Sequence, residues 1–299
     1  MMMSNFNLRQ LEVFVMLADE LHFSRAAERL EISQPSLSQQ IKRLEHNLGI
    51  KLIDRTRQPI ELTAHGKLFL PRARAILRQA SIAGLEMHDL NEIRRGHLRV
   101  GAAGTLATFM LPEIVARYRA RYPNIVIEIT QQNSDQLAKL VENGKVDVAL
   151  CRLPFDQDNV EIMHLRTEPF HVVIPPDHPQ AGPPETSLAA FANDDFVMPV
   201  VRDTPFFRLA VDMCRQAGFT PNIILAGAEY TTAFRLIGLG LGVSIVSELA
   251  TNLVVDPSPA FSRIVEPHVQ SEVVLAYLGK ETLSPAAKAF VELSEIHGG

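Results

Sequence analysis

Apolar residues near the start of the chain recur at helical spacing, with two short polar breaks. Residues 7–20 predict an amphipathic helix, because apolar side chains recur there at intervals of three and four: Leu8, Leu11, Phe14, Val15 and Ala18. Ser24 follows the first break and is predicted to cap a short second helix that ends near Leu30.

The third helix of this region is predicted to begin near Pro35 and to end at Gly49, with Ser33 as its cap. Its buried face carries Leu37, Ile41, Leu44 and Leu48. Its exposed face offers side chains that reach base edges and phosphates: Gln34, Ser36, Ser38, Gln39, Lys42 and Arg43. Two short helices joined by a turn, the second with such a face, predict a helix-turn-helix.

A hairpin and a long helix are predicted next. Residues 51–62 predict a β-hairpin, or wing, with Arg55 and Arg57 near its tip. Thr63 is then predicted to cap a helix that runs to about Arg94. Apolar residues spaced alternately by four and three form a heptad seam along it: Phe69, Ala73, Ile76, Ala80, Ala83, Met87 and Leu90. The seam predicts dimerisation, and packing against its own domain is the alternative. Pro71 is expected to kink the helix or to leave one carbonyl unpaired.

The second part of the chain alternates strands and helices after a predicted linker at 94–97, which implies a parallel sheet covered by helices. Strands are predicted at 98–102, 125–130, 146–151, 169–175, 195–200, 222–226, 243–246 and 273–278. Helices are predicted at 106–121, 134–142, 205–217, 230–239 and 285–296.

The charge of the chain is unevenly distributed. The net charge of the 299 residues is −5, yet residues 34–80 carry nine Lys and Arg against three Asp and Glu. A surface that faces phosphates needs such a basic stretch, although a solvated face is the alternative. We expect a cytoplasmic chain, because charges such as Arg9 and Glu12 interrupt any signal peptide, no stretch suits a membrane span, and two cysteines are too few for a disulfide framework.

Signs of catalytic chemistry are weak. The ten histidines show no metal spacing, so no metal site is expected. The glycine-rich run at 238–242 is predicted to follow a helix and precede a strand, which is the wrong order for a phosphate loop. With no acid–base pair or cofactor loop in evidence, the sequence predicts no catalytic residues and no cofactor. We therefore do not expect an enzyme, although an enzyme built on the α/β part stays an alternative.

Several motifs resemble the LysR-type transcriptional regulators. The DNA-binding domain of that family is matched without gaps over about 60 residues, and the match includes FSRAAERL at 23–30, SQPSLS at 33–38, DR at 54–55 and LTAHG at 62–66. A weaker resemblance continues to the C-terminus. It includes LRVG at 98–101, GKVDVA at 144–149 and LSPAA at 283–287.

The resemblance implies an α+β multidomain fold. It consists of a winged helix-turn-helix (1–62), a dimerisation linker helix with a hinge (63–96) and an α/β effector domain that resembles periplasmic binding proteins (97–299). That domain has two lobes, and the chain crosses between them twice. Lobe I is expected at 97–165 and 268–299, and lobe II at 166–267.

The family pattern also implies partners. Double-stranded promoter DNA, a small effector and further copies of the chain, as a dimer of dimers, are expected; RNA polymerase is a further candidate and a membrane is not. The expected DNA contacts that match the family are Ser33, Gln34, Pro35, Ser36, Ser38 and Arg55. Gln39 departs from the arginine common in the family, so base specificity at that position is open.

The effector is expected between the lobes, beyond the carboxyl ends of the strands. The resemblance and the helix starts point to Gly104, Thr105, Leu106, Asn133, Ser134, Thr204, Phe206, Tyr230 and Thr231. For Thr105 and Ser134, a role in capping alone is the alternative. Arg152 is expected either to pair with a ligand carboxylate or to form a surface or inter-lobe salt bridge. Hydroxyl side chains and helix N-termini favour a small organic anion. The alternative is a ligand-independent regulator whose C-terminal domain serves only assembly.

One branch of the family senses peroxide through two cysteines. Cys214 aligns with the second of them, but Pro205 stands where the reactive cysteine belongs. We therefore expect Cys214 to be a buried thiol in a helix and not part of a disulfide switch.

Overall fold

The computed structural model describes residues 6–56, 59–88, 96–155 and 159–295. Its N-terminal part is the predicted winged helix-turn-helix. The elements are α1 (Leu8–Glu20), α2 (Phe23–Arg29), α3 (Gln34–Leu48), β1 (Ile53–Asp54), β2 (Glu61–Leu62) and α4 (Ala64–His88). β1 and β2 pair antiparallel as the wing. Arg57, which the sequence predicted near the tip, lies outside the described residues.

The helix ends in this domain follow local capping rules, with one exception. The Ser33 hydroxyl accepts the N–H of Ser36 at 3.3 Å, and Gly49 ends α3 at a φ of +70°, as predicted. The Thr63 hydroxyl accepts the N–H of Gly66 at 3.0 Å and so caps α4. The prediction that Ser24 caps α2 is wrong, because α2 begins at Phe23 with His22 at the cap position, so Ser24 lies inside the helix.

The seam predicted on α4 divides into two parts. Phe69 packs against Phe14 at 5.5 Å between ring centroids, and Ala73 is fully buried in the core of the same domain. Ile76 is 38 % exposed. The side chain of Met87 and the whole of Leu90 lie outside the described residues, so dimerisation through this helix stays a prediction. Pro71 lies inside a continuous helix.

The C-terminal part is the predicted α/β domain. Its strands are β3 (Gly96–Ala102), β4 (Ile125–Gln131), β5 (Val148–Arg152), β6 (Glu161–Ile174), β7 (Glu185–Ser187), β8 (Asp195–Met198), β9 (Asn222–Ala226), β10 (Ser244–Ser247), β11 (Ala260–Glu266) and β12 (Gln270–Tyr277). Its helices are α5 (Gly104–Phe109), α6 (Leu111–Arg121), α7 (Ser134–Glu142), α8 (Pro205–Gln216), α9 (Tyr230–Gly238) and α10 (Pro285–Glu295). Short 3₁₀ helices occupy Leu188–Phe191, Glu248–Asn252 and Lys280–Thr282.

Two local predictions in this domain are wrong. The sequence predicts Gly96 and His97 in a linker, but they belong to β3 and pair with Ile125 and Val126 of β4. The single helix expected at 106–121 is divided into α5 and α6. The division falls just before Pro112, which lacks the N–H that a continuing helix would use and suits the first turn of a new one.

The sheet shows how the lobes are joined. Its strand order is β4-β3-β5-β12-β6-β11-β7, with β10 also paired to β6. The prediction of a parallel sheet is wrong for the middle of this sheet, because β12 runs antiparallel to β5 and β6, and β6 runs antiparallel to β10 and β11. The first part of β6, residues 161–169, pairs with β12. The last part, residues 170–174, pairs with β10 and β11. β6 is therefore a continuous strand shared by both lobes, and the sequence predicted only its second half.

Separate apolar cores fill the domains. One lies in the winged helix around Phe14 and Ile41, and a second lies in lobe I around Tyr118 and Phe290. A third lies in lobe II around Phe196. None of the helices in the described ranges is both long and apolar enough to cross a lipid bilayer. The predicted domain boundaries stay predictions, since residues 89–95 are not described.

Candidate DNA-binding face and ligand cleft

The start and outer face of α3 carry the predicted DNA-contacting side chains. Exposed positions are Ser33, Gln34, Pro35, Gln39, Lys42 and Arg43, and half-buried ones are Ser36 and Ser38. The buried face of the helix, with Leu37 and Ile41, packs on α1 and leaves this polar face outward. The arrangement suits a helix that enters the major groove.

Ser24 has a role that the sequence did not suggest. Its hydroxyl donates to the side-chain oxygen of Gln34 at 3.0 Å. This bond joins the start of α2 to the start of α3 and turns the amide nitrogen of Gln34 away from Ser24. The two residues are ten positions apart in the sequence, so no local sequence pattern predicted this contact.

Arg55 of the wing lies against α3. Its guanidinium sits over the ring of Phe23 at 5.2 Å and donates to the Ser38 hydroxyl at 3.4 Å. The carboxylate of Glu45 lies 3.5 Å from it. These contacts orient the arginine while a third of its side chain stays exposed, so it presents a positive charge beside the recognition helix.

Glu45 is a buried carboxylate that sequence reasoning missed. Its side chain is 1 % exposed. One of its oxygens accepts the N–H groups of Leu52, at 2.9 Å, and Ile53, at 3.1 Å. The other oxygen faces the ammonium of Lys51 at 3.4 Å. Glu45 therefore joins the end of α3 to the first strand of the wing.

A cavity of about 550 Å³ opens between the two lobes. Eight predicted effector residues line it: Gly104, Thr105, Asn133, Ser134, Arg152, Thr204, Phe206 and Tyr230. Two predicted residues do not. Leu106 is fully buried in the core of lobe I, and Thr231 is exposed outside the cleft. Both follow a lining residue by one position on a helix, where the side chain turns to another face.

The walls of the cleft differ in polarity. Lobe I contributes a run of amides that the sequence did not single out: Gln131, Gln132 and Gln136. Within the described part of the chain their side chains make no hydrogen bond. Lobe II contributes a mainly apolar wall: Pro199, Val200, Val201, Pro205, Phe206 and Ala228.

The serine and threonine hydroxyls in the cleft are already engaged. The Thr105 hydroxyl accepts from the guanidinium of Arg152 at 3.2 Å, and the Ser134 hydroxyl accepts the backbone N–H of Arg152 at 3.0 Å. The Thr204 hydroxyl donates to the carbonyl of Val201 at 2.8 Å and caps α8. Hydrogen bonds from this cleft to a ligand therefore fall to the three glutamines, the Tyr230 hydroxyl and free backbone N–H groups.

Arg152 forms a salt bridge inside the protein. Its guanidinium donates to the carboxylate of Glu168, which is fully buried, and to the Ser271 hydroxyl at 2.8 Å. The other oxygen of Glu168 accepts the N–H of Leu249 at 3.2 Å. Leu249 belongs to the 3₁₀ helix that follows strand β10 of lobe II, so the pair lies where the lobes meet. Burial lowers the pKa of Arg152 to about 10, which leaves it charged at neutral pH.

Burial keeps three other titratable side chains of the domain in their neutral form. Burial raises the pKa of the Tyr230 hydroxyl, against the opposing effect of the Arg152 charge. Burial also raises the pKa of both thiols, Cys151 and Cys214, to about 12. Both thiols are protonated at neutral pH and are poor nucleophiles. The described residues include no group of three or more metal-ligating side chains.

The fold and its sites define a class of protein, a winged helix joined to a two-lobed ligand-binding domain. Residues 8–67 match the model of bacterial regulatory helix-turn-helix proteins of the lysR family, and residues 91–297 match the LysR substrate binding domain. The chain belongs to the LysR family of transcriptional regulators, with a DNA-binding helix-turn-helix and an effector-binding domain.

Known regulators match this chain along most of its length. The HTH-type transcriptional regulator ShiR of Corynebacterium glutamicum (strain R) is 35% identical over 91% of this chain and 92% of its own. The structure of a full-length OxyR variant from Pseudomonas aeruginosa is 26% identical, with a TM-score of 0.78, and the match covers 98% of this chain and 94% of that one. CbnR complexed with its target DNA is 26% identical, with a TM-score of 0.60, over 98% and 100%.

Proposed function

We propose that a small organic anion binds in the cleft between the lobes and changes how the protein bends its promoter DNA. The observation that carries this proposal is the make-up of the cleft. The first turn of α9 receives no side-chain cap, so its backbone N–H groups are available to an anion that lies clear of the carboxylate of Glu229, the cap residue on the same wall. The apolar wall around Val201 and Phe206 suits a carbon skeleton, and the glutamines suit its polar substituents.

Closure of the lobes is the proposed response. The Arg152–Glu168 pair and the shared strand β6 lie where the lobes meet. A ligand that contacts both walls favours the closed arrangement by its differential affinity for the two states. In an oligomer bound to DNA, this change alters the angle between winged helices and hence the bend of the DNA.

Ligand binding should raise the thermal midpoint of the full-length protein. The screen uses small carboxylates, aromatic acids, amino acids and inorganic anions, because a ligand stabilises the native state by RT ln(1 + [L]/Kd). A compound that acts in the cleft should give a smaller shift in Gln136→Leu, which removes an exposed cleft amide. Gln216→Leu makes the same change at the end of α8 and should leave the shift intact.

The outcomes of this screen are distinct. If a compound raises the thermal midpoint equally in Gln136→Leu and Gln216→Leu, it does not bind at this wall of the cleft. If no compound raises the midpoint, the ligand-independent alternative is favoured, in which the C-terminal domain serves assembly alone.

For the winged helix, we propose that Gln34, Ser36, Lys42, Arg43 and Arg55 contact promoter DNA, with Ser33, Pro35, Ser38 and Gln39 at the same surface. This proposal is supported by their exposure on and beside α3 and by the DNA complex of the relative CbnR.

Truncation of base-contacting side chains should weaken operator binding. Gln34→Ala and Ser36→Ala are each expected to cost about 1–3 kcal/mol of specific binding. Fluorescence anisotropy with a promoter fragment over a salt series measures this, and log affinity should fall with log salt by about 0.9 per phosphate neutralised. Gln216→Ala is the control. Unchanged affinity in both variants would show that another surface reads the operator.

We also propose that the protein dimerises through the exposed part of α4 and assembles further as a dimer of dimers, with RNA polymerase as a downstream partner. Ile76 and Ala83 support this, because both side chains are exposed on that helix. Ile76→Glu should shift the mass measured by light scattering toward the monomer, since it buries a charge in the interface. An unchanged mass would place the interface elsewhere.

A further inference from the structure

Asp19, in the last turn of α1, binds cations from two different domains. The guanidinium of Arg74, on α4, lies 2.5 Å from its carboxylate. The ammonium of Lys145, in lobe I, lies 2.8 Å from the same oxygen. This pair therefore joins the winged helix to the effector-binding domain within one chain. A second contact, between α4 and the 3₁₀ helix Lys280–Thr282, supports the same docking.

Lys145 is attached to the helix that starts in the cleft. Asn133, Ser134 and Gln136, at the start of α7, line the cavity. At the other end, the N–H of Lys145 donates to the carbonyl of Leu140 at 2.8 Å, and Gly144 adopts a φ of +65°. This turn closes the helix in a fixed geometry. Because a helix of nine residues spans about 13 Å, α7 connects the cleft to Asp19 as one rigid element.

Within the winged helix, α1 also connects Asp19 to the recognition helix. α1 packs directly on the recognition helix α3, since Phe14 and Leu17 share a core with Leu37 and Ile41. Arg74 ties the same carboxylate to α4. A displacement of Asp19 therefore reaches the helix that carries the DNA-contacting face.

We infer that Lys145 and Asp19 form a latch through which α7 couples the ligand cleft to the winged helix of the same subunit. In the latched state, the winged helix is docked on lobe I. A movement of α7 at its cleft end shifts Lys145 away from Asp19 and frees the winged helix to take another orientation. The inference depends on the proposed function in one respect only, because the ligand that moves α7 is the one proposed to bind in the cleft.

The Lys145–Asp19 ion pair is weak enough for a ligand to open it. The side chains of Lys145 and Asp19 are 48% and 33% exposed, so water and salt screen the pair. Such a pair changes an equilibrium by about two- to fivefold. A ligand with modest differential affinity for the two states is then sufficient to open it.

Hydrogen exchange of the full-length protein, without ligand or DNA, tests the latch across the domain boundary. Lys145→Gln should speed exchange about two- to fivefold in residues 14–21, which belong to the other domain. Asp19→Asn should speed exchange in residues 139–147. In the Asp19→Asn background, Lys145→Gln should add nothing, because the partner is already absent. Lys139→Gln removes the same charge from α7 away from Asp19 and should leave residues 14–21 unchanged.

Effects confined to the domain that carries each substitution would overturn the latch. An equal response to Lys139→Gln would also overturn it, since general charge and not the pair would then be responsible.

A substitution at the cleft end of α7 tests the coupling itself. Asn133→Ala removes the side chain that caps the helix, which accepts the N–H of Gln136 at 2.9 Å. We expect faster exchange in residues 14–21 of this variant and no such effect when Lys145→Gln is also present. No change in residues 14–21 would refute transmission through α7. Because these measurements use no ligand, their failure is distinguishable from failure of the proposed cleft ligand, which the thermal screen tests.

Discussion

Glu168→Ala should destabilise the effector-binding domain by about 3–5 kcal/mol, because it leaves the buried Arg152 guanidinium without its counter-ion. The carboxylate of Glu168 is fully buried and also accepts the N–H of Leu249, so the substitution leaves a second buried donor unpaired. Urea unfolding of the full-length protein, followed by circular dichroism, measures the change. Arg152→Met in the Glu168→Ala background should recover part of the loss, since it removes the unpaired charge.

A matched control is available on the neighbouring strand. Glu272 is exposed and precedes Val273 on β12, and Glu272→Ala should change the free energy of unfolding by no more than about 0.5 kcal/mol. If Glu168→Ala cost as little as this control, the pair would contribute nothing to the junction of the lobes.

Glu45→Ala should destabilise the winged helix by about 2–5 kcal/mol, because two buried N–H groups, those of Leu52 and Ile53, lose their acceptor. Glu45→Gln keeps an acceptor oxygen and should cost less. The same unfolding measurement applies, together with hydrogen exchange of residues 50–55. We also expect weaker DNA binding, since Arg55 loses the carboxylate that helps to orient it.

Glu28→Ala provides the comparison for Glu45. Glu28 is exposed on α2 of the same domain, and its replacement should be nearly neutral. Equal stability of the Glu45→Ala and Glu28→Ala proteins would mean that the wing is held by its apolar contacts and not by this carboxylate.

The sequence predicted the winged helix well because its signals are local. Helical spacing of apolar residues, the Ser33 cap, the Gly49 ending and the Thr63 cap all act within a few positions of one another. Ser24 looked like a cap by the same reasoning. That prediction was wrong because α2 begins before Ser24, whose hydroxyl binds Gln34, a partner brought close only by the tertiary fold. Glu45 was missed for the same reason.

Prediction of the cleft was partial for a different reason. Residues at strand ends, such as Thr105 and Arg152, were found because the carboxyl ends of parallel strands meet at one edge of a sheet. Gln131, Gln132 and Gln136 carry no motif, and their availability depends on which neighbours are already hydrogen-bonded. The first half of β6 was missed because its charged residues, Arg166 and Glu168 among them, hide the strand pattern.

Strand β6 has a consequence for how such a regulator evolves. This strand runs through both lobes, and the buried Arg152–Glu168 pair lies at their junction. A mutation there alters folding and closure together, so selection cannot adjust one without the other. The cleft glutamines are not coupled to folding in this way, because their amides make no hydrogen bond within the described chain. The protein can therefore acquire a new inducer by changing side chains on the wall while it keeps its response.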